Sequence, residues 1–340
     1  MSSSIAVVGA GTIGVAWSIV FARAKRPVTL YEPDDVRRER AREDLERRLR
    51  ALAEHELLDE EPEEVGARVA LVGDLRIAAR GASYVQECAP EDLDLKRGVF
   101  RELEALVAPD AVLASSSSAI PPSSLAPAVD DPSRLLVAHP GNPPYLLPVV
   151  ELVPSPLTDT RTLDRAHALL VSVGMSPVRL RKEVEGFVFN RLQGAVLREA
   201  YCLVRDGVVD PLDVDRVVRD GLGRRWAFLG PFETVALNTE GGIEAHAARM
   251  GPAYARMGAE RGQDDPWTDA MVTQVAGAVE SRFPRERWRD HVLWRDSALM
   301  ALEAFRRRTP LLSGPDAVEQ AHDQPTQAVR RDDAGKRSDR

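Results

Sequence analysis

The stretch IAVVGAGTIGVAWSIVFARAK, residues 5–25, decides the fold of this chain. Its apolar start, IAVV, predicts a short buried strand, and the glycine-rich GAGTIG leads from that strand into a segment that favours a helix. A second apolar run, PVTLYE, follows at residues 27–32. A strand, a helix and a second strand within about 30 residues predict a parallel crossover unit.

Three glycines in this stretch, Gly9, Gly11 and Gly14, have the spacing of a dinucleotide-binding turn. The first permits a tight turn, the second lets the backbone approach a pyrophosphate, and the third lets helix and strand pack closely. Thr12 and Ile13 complete the turn at the start of the helix, where backbone amides can bind a phosphate. The turn therefore predicts a bound dinucleotide.

The end of the second strand indicates which dinucleotide binds. Glu32 follows Gly14 by 18 positions. A carboxylate there can accept hydrogen bonds from both ribose hydroxyls of NAD and repels the 2′-phosphate of NADP. Arg37 and Arg38 lie close enough in sequence to leave NADP open, although on a helix both can face solvent. We expect NAD.

The rest of the chain predicts two domains. Further apolar runs that predict strands are RVALV (68–72), YVQEC (84–88), AVLAS (111–115), RLLVAH (134–139), PVVELV (148–153) and SPVRL (176–180). Separated by helical stretches, they predict an α/β, doubly wound parallel sheet of Rossmann type over residues 1–185, with a charged helical arm at about 36–64. Residues 186–309 predict an all-α C-terminal domain, and 310–340 a disordered tail.

The composition is that of a soluble globular protein, with 44% hydrophobic residues and a net charge of −8 over 340 residues. This acidic balance argues against nucleic acid as a partner. No basic leader begins the chain, and no apolar run approaches the roughly 20 residues of a membrane span. Cys88 and Cys202 are far apart. We predict a cytoplasmic protein with free thiols, no metal site and no membrane partner.

A nicotinamide enzyme that oxidises an alcohol needs a base for the hydroxyl proton, and histidine suits that task near neutral pH. Of the six histidines, His139 alone follows an apolar strand at the sheet edge where ligands bind. Glu151 lies in the apolar run VVELV, where a buried carboxylate is costly unless it is paired. Pairing with His139 and a solvent-facing position on an edge strand fit the spacing equally well.

Six stretches carry a family resemblance: GAGTIG, QECAPEDLDLK, SSSSAI, AHPGNPPYLLPVVELVP, EVEGFVFNRLQ and GLGRRWAFLGPFET. In order and spacing they resemble the 3-hydroxyacyl-CoA dehydrogenase superfamily, and within it the branch of L-gulonate 3-dehydrogenase and lambda-crystallin. The resemblance runs from about residue 5 to 300. It implies an NAD-binding domain and a helical domain that closes the cleft and forms a homodimer.

The resemblance also implies roles for polar residues at matching positions. The implied catalytic residues are His139 as general base, Glu151 as its partner, and Ser118 and Asn190 at the reacting oxygen. The implied substrate contacts are Asn142, Arg225 and Lys96. The implied cofactor contacts beyond the glycine turn and Glu32 are Glu91 and Lys96. From the sequence pattern alone, the serines of SSSSAI predict only a polar loop. Asn190, in a helix, would by itself indicate only a local hydrogen bond to the backbone.

Two departures from the branch concern the substrate. Gly141 stands where a larger apolar residue is usual, which predicts a looser pocket. Arg224 adds a second guanidinium beside Arg225. A guanidinium can clamp a carboxylate with two hydrogen bonds, but a salt bridge between helices or subunits explains the pair equally well.

The resemblance implies NAD-dependent oxidation of the 3-hydroxyl of a small, L-gulonate-like hydroxy acid to the 3-keto acid. An L-3-hydroxyacyl-CoA dehydrogenase of the 3-hydroxybutyryl-CoA type is the alternative, and the acidic segment EHELLDEEPEE (54–64) disfavours the phosphates of CoA. Carnitine 3-dehydrogenase is a third possibility, although Arg225 would repel a trimethylammonium group. A non-catalytic, crystallin-like protein is the last, and retention of the four catalytic positions argues against it.

Overall fold

The computed structural model describes residues 4–54 and 57–261, and positions 269, 270, 273, 277, 280, 283–288, 290, 291, 294 and 305. The chain divides into two compact units, unit 1 and unit 2, between Glu199 and Ala200. The tail predicted at 310–340 lies outside the described residues. Within the described part, none of the helices combines the length and the apolar character that crossing a membrane requires.

Unit 1 is built on one sheet of eight strands in the order β3-β2-β1-β4-β5-β6-β7-β8. The strands are β1 Ser4–Val8, β2 Val28–Tyr31, β3 Val69–Val72, β4 Ala82–Glu87, β5 Val112–Ser115, β6 Leu135–Pro140, β7 Val149–Pro154 and β8 Ser176–Arg179. The helices are α1 Thr12–Arg23, α2 Asp35–Glu54, α3 Pro62–Gly66, α4 Leu75–Ala79, α5 Leu93–Glu104, α6 Pro122–Leu125 and α7 Thr160–Ser172. The order runs outward from β1 in both directions, which confirms the predicted doubly wound fold.

The glycine turn brings α1 against the sheet. Gly9 has φ +100°, in the left-handed region, and a Cβ there would lie 2.8 Å from the Cys88 carbonyl oxygen. A Cβ on Gly14 would lie 1.8 Å from the Gly9 carbonyl oxygen. No side chain fits at either position, so α1 starts directly at the end of β1. From Gly14 to Ala22 every residue of α1 is buried, as expected for a central helix.

The last two strands reverse the direction of the sheet, which the sequence did not indicate. β7 runs antiparallel to β6, and β8 is parallel to β7. Only residues 141–148 join β6 to β7, and a parallel crossover needs a dozen residues or more. The antiparallel register sets His139 opposite Glu151. Directly opposed residues project on the same face, so chain reversal brings the imidazole and the carboxylate together.

The charged segment after Glu32 forms α2, the helical arm. Leu45, Leu49 and Leu52 lie on one side of α2 and are buried in the main core of unit 1. The opposite side carries the charged residues. The arm, α2, therefore packs against the rest of unit 1, chiefly against α1 and α3.

The helix α8, Phe189–Arg205, crosses the boundary between the units. The regular elements described in unit 2 are helical, as predicted: α9 Pro211–Val217, α10 Gly223–Trp226, α11 Pro231–Asn238 and α12 Gly242–Glu260, with shorter helical turns at 218–222 and 285–287. A small core in unit 2 contains Leu229, Leu237 and Phe283.

Candidate active site

The glycine turn and Glu32 line a cleft of about 500 Å³ at the carboxyl ends of β1 and β2. The Glu32 carboxylate accepts hydrogen bonds from the backbone N–H groups of Ala10 at 3.4 Å and Asp34 at 3.3 Å. A Cβ built on Gly11 meets no atom within 4 Å, so the backbone there is open to a ligand. These features fit a dinucleotide with its pyrophosphate at the N-terminus of α1 and its ribose at Glu32.

Two arginines of α2, Arg37 and Arg40, also line this cleft. Arg38 points elsewhere, because its Nη1 donates to the Glu32 carbonyl oxygen at 2.7 Å and its Nη2 pairs with Asp35. Arg37 and Arg38 were the two arginines for which NADP remained an alternative cofactor. Arg37 lines the cleft and Arg38 does not. Arg40 was not predicted, although it follows Arg37 by three positions and so shares its side of the helix.

We predict that Glu32 determines the choice of cofactor. The Glu32→Ser change should weaken NAD binding about 10- to 100-fold, the loss expected for hydrogen bonds to a charged group. It should also strengthen NADP binding, since Arg37 and Arg40 line the cleft and the Glu32 carboxylate no longer repels the 2′-phosphate. Titration calorimetry with both cofactors measures the change. Glu39→Ser, on an exposed side chain of the same helix, is the matched control, and unchanged NAD affinity in Glu32→Ser would contradict the assignment.

His139 and Glu151 form a buried pair. His139 Nδ1 lies 2.8 Å from Glu151 Oε2. The other carboxylate oxygen accepts the backbone N–H groups of Val188 at 2.7 Å and Phe189 at 3.0 Å. These amides belong to the start of α8, where the helix dipole also favours a negative charge. The exposed alternative for Glu151 is therefore wrong.

The charge state of this pair follows from its contacts. Burial by itself raises the pKa of Glu151, but the hydrogen bonds from His139, Val188 and Phe189 lower it to below its usual value. An ionised carboxylate only accepts hydrogen bonds, so Nδ1 of His139 donates to it, and Nε2 is the proton-accepting nitrogen of the neutral ring. The rings of Phe187 and Phe189 pack on the imidazole, with centroids 5.6 and 6.3 Å away.

We predict a pH-dependent contribution of Glu151 to stability. Its folded pKa lies below the ordinary value of 4.5, so its stabilising effect is complete above that pH and is lost as pH falls through the folded pKa. Glu151→Gln should therefore lower the melting temperature most at neutral pH, and the difference from wild type should shrink below pH 4.5. Melting curves across this range, with the exposed Glu43→Gln as control, measure it; a difference independent of pH would contradict the prediction.

The serine loop after β5 is fastened to Glu91. One oxygen of Glu91 accepts from Ser117 Oγ at 2.6 Å and from the backbone N–H groups of Ser118 and Ala119, both at 3.0 Å. Burial opposes ionisation of Glu91, but these hydrogen bonds and the nearby charge of Lys96 lower its pKa. Asn190 Nδ2 donates to the Ser118 carbonyl oxygen at 3.0 Å. The first turn of α8 is thereby tied to the serine loop.

Lys96 is almost fully buried, with 1% of its surface exposed. Its Nζ donates to the two oxygens of Glu87 at 2.8 and 3.0 Å and to the Ala89 carbonyl oxygen at 3.0 Å, and lies 3.5 Å from Glu91. Its ammonium group is thus engaged within the protein. Glu87 was not predicted as a site residue, although a glutamate that ends the strand SYVQE indicates a buried carboxylate in need of a partner.

A second cavity, of about 310 Å³, is lined by two of the four predicted catalytic residues, His139 and Ser118. Glu151 and Asn190 are not in its lining but hydrogen-bond to these two residues. Its lining includes Ile13, Glu91, Lys96, Ser118, His139 and Asn142. Cys88 lines both this cavity and the Glu32 cleft, so the two adjoin, as one dinucleotide would require. Burial raises the pKa of Cys88 to about 12, so its thiol is protonated and is no nucleophile. In the described part of the chain, no three metal-ligating side chains cluster.

Two predicted substrate determinants do not line this cavity. A Cβ on Gly141 would lie 3.0 Å from the Leu147 Cβ and 3.1 Å from the Val149 side chain, so the missing side chain points into its own loop. Gly141 therefore shapes the loop instead of enlarging the pocket. Arg225 belongs to α10 in unit 2, and its contact with substrate stays a prediction.

Comparison with known proteins agrees with this architecture. Residues 4–184 match the family model for the NAD binding domain of 3-hydroxyacyl-CoA dehydrogenase, and residues 186–277 match that for its C-terminal domain. Lambda-crystallin homolog of Bos taurus is 41% identical over 90% of this chain and 96% of its own length. The L-carnitine dehydrogenase/betainyl-CoA thioesterase of Ruegeria pomeroyi is 32% identical over 94% of this chain and 65% of its own.

A solved structure is also similar. It is that of 5-formyl-3-hydroxy-2-methylpyridine 4-carboxylic acid 5-dehydrogenase, described as an NAD⁺-dependent dismutase. It has a TM-score of 0.68 and 28% identity, over 87% of this chain and 98% of that one. These matches cover both the sheet with its cofactor turn and the helical region.

Proposed function

Because the chain belongs to the 3-hydroxyacyl-CoA dehydrogenase family, we propose that it oxidises the 3-hydroxyl of a small free hydroxy acid, L-gulonate or a close analogue. NAD-dependent oxidation of a CH–OH group is the activity of the family. The observation that carries the proposal is the buried His139–Glu151 pair, in which His139 lines the cavity next to the cofactor cleft. The product is the 3-keto acid.

Each side chain has a defined task in this proposal. Bound NAD supplies the acceptor for the hydride that leaves C3, and the glycine turn and Glu32 hold it. His139 Nε2 takes the hydroxyl proton, and Glu151 stabilises the imidazolium that forms. Ser118 and Asn190 hydrogen-bond the oxygen as it becomes a carbonyl, while Asn142 and Arg225 bind the rest of the substrate. Glu91 and Lys96 shape the cavity wall around the nicotinamide ribose.

A free acid is supported over a CoA thioester by a similar solved structure. The acidic segment 57–64, LLDEEPEE, does not bear on this choice in the structure. Its Glu60 pairs with Lys25 and with Arg68, which donates to the Ala22 carbonyl oxygen in the last turn of α1, at the opposite end of that helix from the glycine turn. The similar solved structure belongs to an enzyme named for a pyridine carboxylic acid. The family name favours the 3-hydroxyacyl-CoA alternative, and the Ruegeria pomeroyi relative favours carnitine.

The proposal includes a homodimer that works in the cytoplasm. Large apolar side chains of α8 and α9 are exposed, among them Tyr201 at 74% and Leu212 at 78%. Exposed apolar surface of this kind marks a protein interface. The family resemblance implies that the partner at this interface is a second copy of the chain. Light scattering of the purified chain should give twice the mass of one chain, and a monomer at micromolar concentration would contradict this.

The experiment that tests the function is a substrate panel. The protein is incubated with NAD and, in separate reactions, L-gulonate, L-3-hydroxybutyrate, 3-hydroxybutyryl-CoA or L-carnitine, and reduced cofactor is followed by absorbance. We expect the highest kcat/KM with L-gulonate. The highest value with 3-hydroxybutyryl-CoA or with carnitine would overturn the substrate in favour of that alternative. No reduction with any of the four would overturn the function.

A further inference from the structure

Arg48 of α2 contacts three different parts of unit 1. Its side chain is 11% exposed, although it lies on the charged helical arm. Nη1 donates to the Thr12 carbonyl oxygen at 3.1 Å, and Nη2 pairs with Asp44 at 2.6 Å. The guanidinium carbon lies 5.9 Å from the ring centre of Tyr145, within cation–π distance. One largely buried cation thus links the glycine turn, the arm and the loop after β6.

On one side, Arg48 holds the wall of the cofactor cleft. Thr12 is the first residue of α1, and both Thr12 and Asp44 line that cleft. A dinucleotide bound at the turn would restrict this wall, because the backbone of residues 9–14 would bind its pyrophosphate. If a bound dinucleotide restricts the motion of Thr12 and Asp44, the motion of Arg48 is restricted too, because its side chain contacts both residues.

On the other side, Arg48 holds the loop of residues 141–148. That loop follows the strand of His139, contains Asn142, and leads into the strand of Glu151. Both His139 and Asn142 line the catalytic cavity. Tyr145 lies in its middle, and the Tyr145 carbonyl oxygen accepts a hydrogen bond from Arg23 of α1 at 2.8 Å. The next two side chains, Leu146 and Leu147, are exposed. The loop is thus fastened to the cofactor-binding part of unit 1 at Tyr145.

We propose that Arg48 is a positioning residue that couples occupation of the cofactor cleft to the placement of the 141–148 loop, so that NAD binding prepares the substrate cavity. A guanidinium that is only 11% exposed keeps its partners because leaving them unpaired is costly, so the three contacts form or loosen together. Coupling of this kind is reciprocal, and substrate bound at the loop tightens NAD to the same extent. The inference rests on the proposed function only in taking NAD as the occupant of the cleft.

Hydrogen exchange tests the coupling without any substrate. Backbone N–H groups of Leu146 and Leu147 both bond to the Pro143 carbonyl oxygen, so their exchange reports the order of the loop. Saturating NAD should slow exchange at these amides in the wild type. It should leave exchange unchanged in Arg48→Met, which keeps the length of the side chain and removes its charge and donors. NAD is kept above saturation for each variant, as judged by calorimetry.

Arg47→Met is the matched control, because Arg47 also pairs with Asp44 but its side chain is 72% exposed. It should show the NAD-dependent slowing seen in the wild type. Arg48→Lys is the second variant if Arg48→Met does not fold, since a single ammonium group cannot reproduce the three contacts of the guanidinium fork. It should also lose the slowing.

A kinetic readout separates positioning from general damage. With the substrate identified by the panel, Arg48→Met should raise KM about 5- to 10-fold at saturating NAD and change kcat less, as expected for a coupling of ordinary size. Unchanged NAD-dependent slowing in both Arg48 variants, or the same loss in Arg47→Met, would overturn the inference. If no substrate on the panel reacts, the proposed function fails, while the exchange experiment still decides on the coupling.

Discussion

The His139→Gln variant is expected to lose at least ~100-fold in kcat, the lower range for removal of a general base. The amide of glutamine cannot accept a proton near neutral pH, whereas the imidazole can, because Glu151 fixes its Nδ1 proton and leaves Nε2 to act on substrate. NAD affinity should change less than ~2-fold, since His139 does not line the Glu32 cleft. Steady-state kinetics and calorimetry measure the two effects.

His167→Gln is the control for this variant, because His167 lies on α7 away from both cavities. Its kcat should equal that of the wild type. A His139→Gln enzyme that retained more than about a tenth of wild-type turnover would leave His139 as a packing residue between Phe187 and Phe189.

The Glu151→Gln variant is expected to lose on the order of 10⁴-fold in kcat, comparable to the loss when the orienting acid of a catalytic triad becomes an amide. The glutamine oxygen can still accept the Val188 and Phe189 amides, which leaves its NH₂ facing His139 Nδ1. Nδ1 must then accept a hydrogen bond, so the ring proton moves to Nε2, and Nε2 can no longer act as a base.

The kinetics of Glu151→Gln distinguish this tautomer effect from a loss of structure. KM should stay near the wild-type value, because Glu151 contacts His139 and α8 and does not line the cavity. Glu91→Gln is not a suitable control, since Glu91 holds the serine loop, whereas the exposed Glu43→Gln is. A kcat within ~3-fold of wild type would show that Glu151 does not set the state of His139.

The cofactor cleft could be predicted because its chemistry is local in sequence. Gly9, Gly11 and Gly14 lie within one turn, and Glu32 follows after one helix and one strand of ordinary length. The steric need for two of these glycines is visible in the backbone. Which of Arg37, Arg38 and Arg40 line the cleft could not be predicted, because the sequence does not tell which side of a charged helix faces the protein.

The His139–Glu151 contact could not be derived from spacing. The two residues are 12 positions apart, and they face each other only because β7 turns back antiparallel to β6 in one particular register. A shift of one residue would turn Glu151 to the opposite face of the sheet. The family resemblance supplied the pairing, and the register supplies its physical reason.

Lys96 and Gly141 show a second limit of the sequence. The resemblance implies that Lys96 contacts a ligand, but its ammonium group pairs with Glu87, which lies nine residues earlier on a different element. Gly141 suggested a larger pocket, whereas its missing side chain would point at Leu147 and Val149. In both cases the outcome depends on the direction in which the side chain leaves the backbone. The order of residue types in the sequence does not give that direction.

Transfer of deuterium tests the central claim most directly. L-Gulonate carrying deuterium at C3 is incubated with the wild-type enzyme and NAD, and the reduced cofactor is analysed by NMR. We expect the deuterium at C4 of the nicotinamide, turnover slower than with unlabelled substrate, and transfer at least ~100-fold slower in His139→Gln. Deuterium released to solvent, or equal transfer by His139→Gln, would contradict hydride transfer from C3 with His139 as the base.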